Sequence, residues 1–248
     1  MIKLIISGIL GRMGKEIIKL SKEIDDVTII SGFDTKSEIG EIPVFSKVEE
    51  LPLDFDAIID FSSSQAALKM LEFSVGNVKP FVTGTTGFSE KEEEEFKKAA
   101  NKIPVFKASN MSVGVNCLAG MLEKLPAILY KNSDIEIVET HHRLKKDSPS
   151  GTAKTLGKIV AETSGKNIFL YGRKGKEIKR ENGEIGFHSI RGGTVVGTHT
   201  VYFLGDDESI EITHRAYSRR IFALGAISAV KWLMKKGPGF YSMKDLLS

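Results

Sequence analysis

A single cysteine, Cys117, stands in 248 residues, so neither an intrachain disulfide framework nor a cysteine-built metal site can form, and a reducing compartment fits. Long apolar runs are missing as well. No stretch approaches the roughly 20 residues of a membrane-spanning helix, and the apolar start, Met1 to Ser7, breaks at Gly8, too early for a signal-peptide core. No membrane association is expected, and the reading is a cytoplasmic protein. Nor does one sign of charge dominate: 35 basic residues against 32 acidic ones leave +3, too little for a nucleic-acid surface, although a local basic pocket stays open. There is no internal repeat and no low-complexity tract. What is present, 41% apolar and 27% charged residues, describes a globular chain long enough for one large domain or two modest ones.

Two rhythms divide it. Up to about residue 108, β-rich runs at 3–7, 28–33, 57–61, 80–83 and 103–108 alternate with helical patterns at 12–21, 64–73 and 89–100. Helices of that length between strands act as crossovers, which implies α/β architecture with a parallel, doubly wound sheet. Residues 110–130 read as one connecting helix with Pro126 near its end. Strand patterns then dominate at 134–141, 185–190, 194–204 and 209–214, predicting a second, smaller α+β sheet domain. The charged, glycine-punctuated 173–184 reads as an exposed loop or hairpin. Residues 219–236, apolar on most faces, read as a buried helix that returns to the first domain. The expected division is a dinucleotide-binding domain at 1–112, completed by 218–248, and a substrate-binding and oligomerisation domain at 113–217.

Gly8, Gly11 and Gly14 follow the first strand and open the first helix, where tight turning and close approach to a pyrophosphate both require the absence of a side chain. Leu10 stands where the dinucleotide fingerprint has its second glycine, so the motif alone is weak. Asp34 strengthens it: it ends the second predicted strand, 20 residues beyond Gly14, where a carboxylate accepts hydrogen bonds from a ribose diol. Asp34 repels a 2′-phosphate and favours NADH. Lys36 offers partial compensation, which leaves NADPH use open. The turns Gly84-Thr85-Thr86 and Ala108-Ser109-Asn110-Met111 follow predicted strands and fall on the same ligand-binding carboxyl edge.

The chemistry concentrates in His141-His142-Arg143-Leu144-Lys145-Lys146-Asp147-Ser148-Pro149-Ser150-Gly151-Thr152. Two histidines sit where a strand runs out, and Ser150 and Thr152 cap a helix whose first-turn amides suit a carboxylate or phosphate. Adjacent histidines on an extended segment face opposite ways, so no metal is expected. A histidine near neutrality gives or takes a proton, and Lys145 brings charge or a second proton. His188, His199 and His214 read as ordinary sheet histidines, and Arg191-Gly192-Gly193 as a turn whose charge helps attract an acidic substrate.

These residues resemble the 4-hydroxy-tetrahydrodipicolinate reductase (dihydrodipicolinate reductase) family of the diaminopimelate route to lysine. The likeness spans the chain through the glycine turn, Gly84-Thr85-Thr86-Gly87, Ser109-Asn110-Met111-Ser112-Val113-Gly114-Val115-Asn116, Glu139-Thr140-His141-His142, Lys145 to Ala153, Gly186 to Gly193 and Ile210 to Ala216. The resemblance implies an NAD(P)H-dependent oxidoreductase acting on a small cyclic dicarboxylate. Water leaves the hydroxylated ring, the cofactor delivers hydride, and His141 or Lys145 supplies the proton. It further implies substrate contacts from His142, Ser150, Gly151 and Thr152. Cofactor contacts would come from Gly8, Ile9, Leu10, Gly11, Arg12, Met13, Asp34, Gly84, Thr85, Thr86, Ala108, Ser109, Asn110 and Met111. A homotetramer is implied too. Leu10, Ser148 and Thr35 depart from the family pattern; Thr35, where many members carry arginine, weakens the case for NADPH. Two rivals stay open: another dehydrogenase of amino or imino dicarboxylates, and a catalytically silent dinucleotide-binding regulator.

Overall fold

The computed structural model describes residues 1–248. In chain order the elements are β1 (Ile2–Ser7), α1 (Arg12–Ser21), β2 (Val27–Phe33), β3 (Val44–Phe45), β4 (Ala57–Asp60), α2 (Ser64–Gly76), β5 (Phe81–Thr83), α3 (Glu90–Ala100) and β6 (Pro104–Lys107). There follow α4 (Val113–Lys124), α5 (Ala127–Asn132), β7 (Asp134–His141), α6 (Gly151–Ser164), β8 (Ile168–Tyr171), β9 (Glu184–Arg191), β10 (Gly197–Leu204) and β11 (Ser209–Ala216). The chain ends with α7 (Arg220–Leu233), β12 (Gly239–Tyr241) and α8 (Met243–Leu247). Two compact units result, Met1–Val113 with Arg219–Ser248, and Gly114–Ser218.

The first unit is a seven-stranded sheet in the order β12-β6-β5-β4-β1-β2-β3, and every pair in it is parallel. Its strands are apolar almost throughout because both faces are covered. Leu4 and Ile6 of β1 pack with α1 and α7, through Ile17, Leu20, Ala226 and Val230. Ile5, on the opposite face, packs with α2 and α3, through Met70 and Phe96. The helix starts follow local rules: Ser63 caps α2, and Ser89 forms a capping box with Glu92 at α3, whose last turn carries Lys97 and Lys98.

The second unit is a five-stranded mixed sheet in the order β11-β10-β7-β9-β8, with β7, β9 and β8 parallel and β10 and β11 antiparallel. Ile135, Ile137, Phe187 and Val201 meet Leu156 and Val160 of α6 in its core. A Cβ on Gly157 would stand 2.2 Å from the Phe187 ring, so the absence of a side chain lets α6 settle directly on the sheet.

One expectation needs correction, and three short strands join those expected from the sequence. The single helix at 110–130 is two, because Pro126 has no amide to donate and disfavours helical geometry at Leu125; it becomes the first flanking residue of α5. Strands β3, β8 and β12, of two, four and three residues, carry too few positions for periodicity to reveal. Residues between β8 and β9 take the loop alternative rather than the hairpin and are mostly exposed, with Arg173 and Arg180 folded back onto Glu136. No helix is long and apolar enough to cross a membrane.

Candidate active site

Two groups of sequence-predicted residues occupy the two units. In the first, the turn from Gly8 to Met13, Asp34, Gly84–Thr86 and Ala108–Met111 all follow the carboxyl ends of strands of one parallel sheet, β1, β2, β5 and β6, with β4 between β5 and β1. The turn itself is made of backbone. Gly8 has φ +76, and a Cβ there would lie 2.3 Å from the Phe61 carbonyl oxygen. At Gly14 a Cβ would come 2.3 Å from the Ile9 carbonyl oxygen, so α1 starts against the turn. The residue before α1, Gly11, brings no side chain to cap it, and its first turn holds no acid. That combination of close-approach glycines and a side-chain-free helix start suits the pyrophosphate of a dinucleotide.

Asp34 is fixed at the end of β2: its Oδ2 accepts from the Leu10 amide at 2.9 Å and its Oδ1 from the Thr35 amide at 2.7 Å. Thr85 is held from below. Its hydroxyl donates to buried Asp60 at 2.6 Å and accepts from the Ser62 amide at 2.9 Å, while Thr83 donates to the same Asp60 oxygen at 2.7 Å. Burial pushes the Asp60 carboxyl above its ordinary range, against hydrogen bonds from Ser62, Thr85 and Thr83. Met111 is buried, and a Cβ on Gly225 would stand 1.8 Å from its carbonyl oxygen, so α7 presses on the segment after β6.

In the second unit, the alternation along β7 puts Ile135, Ile137, Glu139 and His141 on one inward row, where the apolar core gives way to polar groups. Glu139 is 1% exposed. His141 Nδ1 lies 2.5 Å from its Oε2, and the Ser150 amide donates to its Oε1 at 3.1 Å. Arg191 closes a fork on the same carboxylate, at 2.8 Å to Oε2 and 2.6 Å to Oε1, and also donates to the Asp147 carbonyl at 2.7 Å. Burial alone would raise the Glu139 carboxyl; the hydrogen bonds from His141, Arg191 and Ser189 overcome it and hold the group far below its usual range.

Ser150 caps α6 by accepting from the Ala153 amide, and its hydroxyl also meets His199 Nε2 at 2.9 Å. The His199 ring stands 5.1 Å from that of His141. Burial first, then the neighbouring His141, push His199 down to about 4. Lys145 pairs with Asp147 at 2.8 Å, which lowers the Asp147 carboxyl. The backbone amide of His142 donates to the Val195 carbonyl at 2.8 Å, tying the end of β7 to the loop before β10. A Cβ at Gly197 would stand 3.1 Å from His141 Nε2, so glycine leaves room at that nitrogen.

The histidine, the start of α6 and, through Arg191, the loop that carries Asp147 therefore gather around one carboxylate, Glu139, to which the sequence alone assigns no role. Glu139 was detectable, since two residues before His141 on a strand means the same face. His199 and Arg191, read as a plain sheet histidine and a turn residue, gave no such sign. Strand register decides them: His199 sits opposite Glu139 across β10 and β7, and Arg191 beside His141 across β9 and β7.

Comparison with known proteins agrees along the whole chain. Residues 2–111 match the family model described as dihydrodipicolinate reductase, N-terminus, and residues 114–247 that described as dihydrodipicolinate reductase, C-terminus. A 4-hydroxy-tetrahydrodipicolinate reductase from Aquifex aeolicus is 44% identical over 262 residues, covering 99% of this chain and 98% of the relative. One from Clostridium botulinum is 40% identical over 249 residues, covering 100% and 98%. Among solved structures, a dipicolinate-bound dihydrodipicolinate reductase from Paenisporosarcina sp. TG-14 has the same fold, with a TM-score of 0.82 at 22% identity over 98% of this chain and 97% of that one.

Proposed function

The chain belongs to the dihydrodipicolinate reductase family, and from that premise we propose how its residues share the work. The activity is the reduction of 4-hydroxy-tetrahydrodipicolinate by a pyridine nucleotide, a step in the diaminopimelate route to lysine. When bound, the reduced nicotinamide supplies a hydride to the conjugated imine left once water leaves the substrate ring. His141 donates the matching proton from Nε2. The observation that carries this assignment is the 2.5 Å contact of its other nitrogen with buried Glu139, which leaves Nε2 as the atom facing the space kept by Gly197.

The substrate is a dianion. One carboxylate is received at the start of α6 by Ser150, Gly151 and Thr152 together with His142; the other draws Lys145 away from Asp147. In the first unit, Gly8, Ile9, Leu10, Gly11, Arg12 and Met13 take the pyrophosphate, Asp34 the ribose diol, and Gly84–Thr86 with Ala108–Met111 the nicotinamide end. Because Asp34 is a fixed carboxylate, NADH is the preferred donor. Lys36 permits slower use of NADPH, and Asp34→Ala is expected to narrow the difference between the two KM values. Exposed apolar side chains on the edge strands of the second sheet, Phe169 and Tyr171 of β8 and Ile210 of β11, support assembly as a homotetramer, which light scattering would test.

The deciding assay follows NADH oxidation with the freshly made product of dihydrodipicolinate synthase and, in parallel, with oxaloacetate plus ammonia. Consumption with the first substrate alone is expected; consumption with the second alone would turn the reading towards an amino-dicarboxylate dehydrogenase. His141→Ala should lower kcat by about 10²–10⁴-fold with the KM for NADH nearly unchanged. An unaltered kcat in that variant would remove His141 from the chemistry.

A further inference from the structure

Besides the Ser189 side chain, four donors converge on one carboxylate that is almost wholly buried. His141 Nδ1 and one Arg191 nitrogen meet Oε2, while the Ser150 amide and the other Arg191 nitrogen meet Oε1. If the only task of Glu139 were to neutralise Arg191 within the sheet, the fork alone would do it. Instead each oxygen carries a second bond, one to the histidine at the end of β7 and one to the residue that caps α6. The two bonds lead to different parts of the proposed reaction: one to the proton, the other to the carboxylate seat.

Donor and acceptor identities restrict the chemistry further. A guanidinium and a backbone amide only donate, so Glu139 receives at both oxygens and is ionised. An ionised carboxylate has no hydrogen to give, so the 2.5 Å contact requires the hydrogen to sit on His141 Nδ1. When His141 is neutral, its lone pair is then at Nε2; when it is protonated, the proton that leaves is the one on Nε2. Gly197 stands next to that nitrogen and offers no side chain to cover it.

We propose that Glu139 is the positioning residue of the centre, with one oxygen setting the tautomer and direction of His141 and the other anchoring the substrate-binding start of α6 through Ser150. The proposal rests on the assignment of His141 as proton donor and deepens it. Arg191 orients the carboxylate so that both bonds form together. The groups that face this assembly are Arg191 from β9, His199 from β10, His214 from β11, and Lys145 with Asp147 from the loop after β7. Of these only Arg191 shares Oε2 with His141; His199 is engaged by Ser150, and Lys145 by Asp147.

The experiment uses the full-length protein labelled with ¹⁵N-histidine, alongside Glu139→Gln and His141→Ala. In the unsubstituted enzyme, the neutral His141 ring is expected to show the Nδ1–H pattern; an Nε2–H pattern there overturns the proposal whatever the variants do. Glutamine keeps the shape of Glu139 but turns an amide N–H₂ towards the ring, so E139Q is expected to switch His141 to Nε2–H. Its kcat is expected to fall by about 10²–10⁴-fold, the range of misdirected general-acid histidines, with the KM for NADH unchanged. The glutamine oxygen takes the place of Oε1 and keeps the bond from the Ser150 amide, so the substrate KM of E139Q should change little, whereas Glu139→Ala, which removes both oxygens, should raise it; the switched ring pattern is a readout that a loss of folded protein would not give. If H141A loses turnover while E139Q keeps both its kcat and the Nδ1–H pattern, Glu139 is not the positioning residue and the assignment of His141 stands. If H141A itself keeps full turnover, the assignment fails and the proposal with it.

Discussion

The most deeply buried carboxyl group of each unit, Asp60 at the end of β4 and Glu139 near the end of β7, meets surroundings that drive the two in opposite directions. Asp60 meets only hydroxyls, from Ser62, Thr83 and Thr85, so the cost of desolvation prevails and its pKa rises. Glu139 meets a guanidinium fork, an imidazole and an amide, and stays ionised. The difference fits the roles proposed for the two sites. A turn that receives a cofactor through backbone amides needs only an anchor for its threonines. A proton-transfer centre needs a permanent charge beside its histidine, and a second charge to hold the first in place.

Removing the cation should expose that contrast most strongly. Arg191→Ala leaves Glu139 buried with its guanidinium partner gone, a change that costs about 3–5 kcal/mol when one partner of a buried pair is lost. Hydrogen exchange of the β7 and β9 amides should speed accordingly, and unchanged protection there would show that the fork adds nothing to the unit.

Acid should separate the units next. The folded chain keeps His199 neutral down to about pH 4, whereas an unfolded histidine takes up a proton near 6.5. Its contribution is therefore complete above about pH 6.5 and lost as pH falls towards 4, up to about 3 kcal/mol from this group. Glu139, depressed from 4.5, adds a further loss below that pH. Asp60 has the reverse sign: raised above 3.8, it favours the folded state at low pH, and that contribution fades as pH rises through its folded pKa. Urea midpoints measured between pH 7 and 4 should fall, and His199→Gln should flatten the upper part of the curve. A midpoint independent of pH in that window would contradict the assignment of His199 as a buried neutral ring. Trp232, the one tryptophan, lies in the first unit and reports that unit separately.

The smallest effect belongs to Asp60→Asn. With hydroxyl neighbours that can turn to accept as well as donate, the amide is expected to change stability by no more than about 1 kcal/mol at pH 7. A loss as large as that for Arg191→Ala would mean that a hidden cation serves Asp60, and the comparison would collapse.

The parallel sheet was legible because its strands and crossover helices differ in period, and because both faces of the sheet are covered, making the strands continuously apolar. Gly8, Gly14 and Asp34 were legible because a turn and the strand end that faces it obey short, contiguous spacing rules. Pro126 was visible in the sequence and underweighted: a proline that far into a helical pattern divides it. Strands β3, β8 and β12 escaped notice because two to four residues do not establish a period. In the chemical cluster the contiguous part, His141 to Thr152, was readable, whereas Arg191 and His199 lie 50 and 58 positions beyond His141.

By itself, then, the order of residues determined where the longer strands and the crossover helices lie, which turns dispense with side chains, and which short segment gathers histidine, lysine and a helix start. All of these are local consequences of backbone sterics and side-chain period. Only the folded sheet decided what surrounds Glu139. Pairing of β7 with β9 and β10 places Arg191 and His199 within bonding reach of residues far away along the chain, and that register is set by packing of whole strands against α6, which no local spacing rule contains.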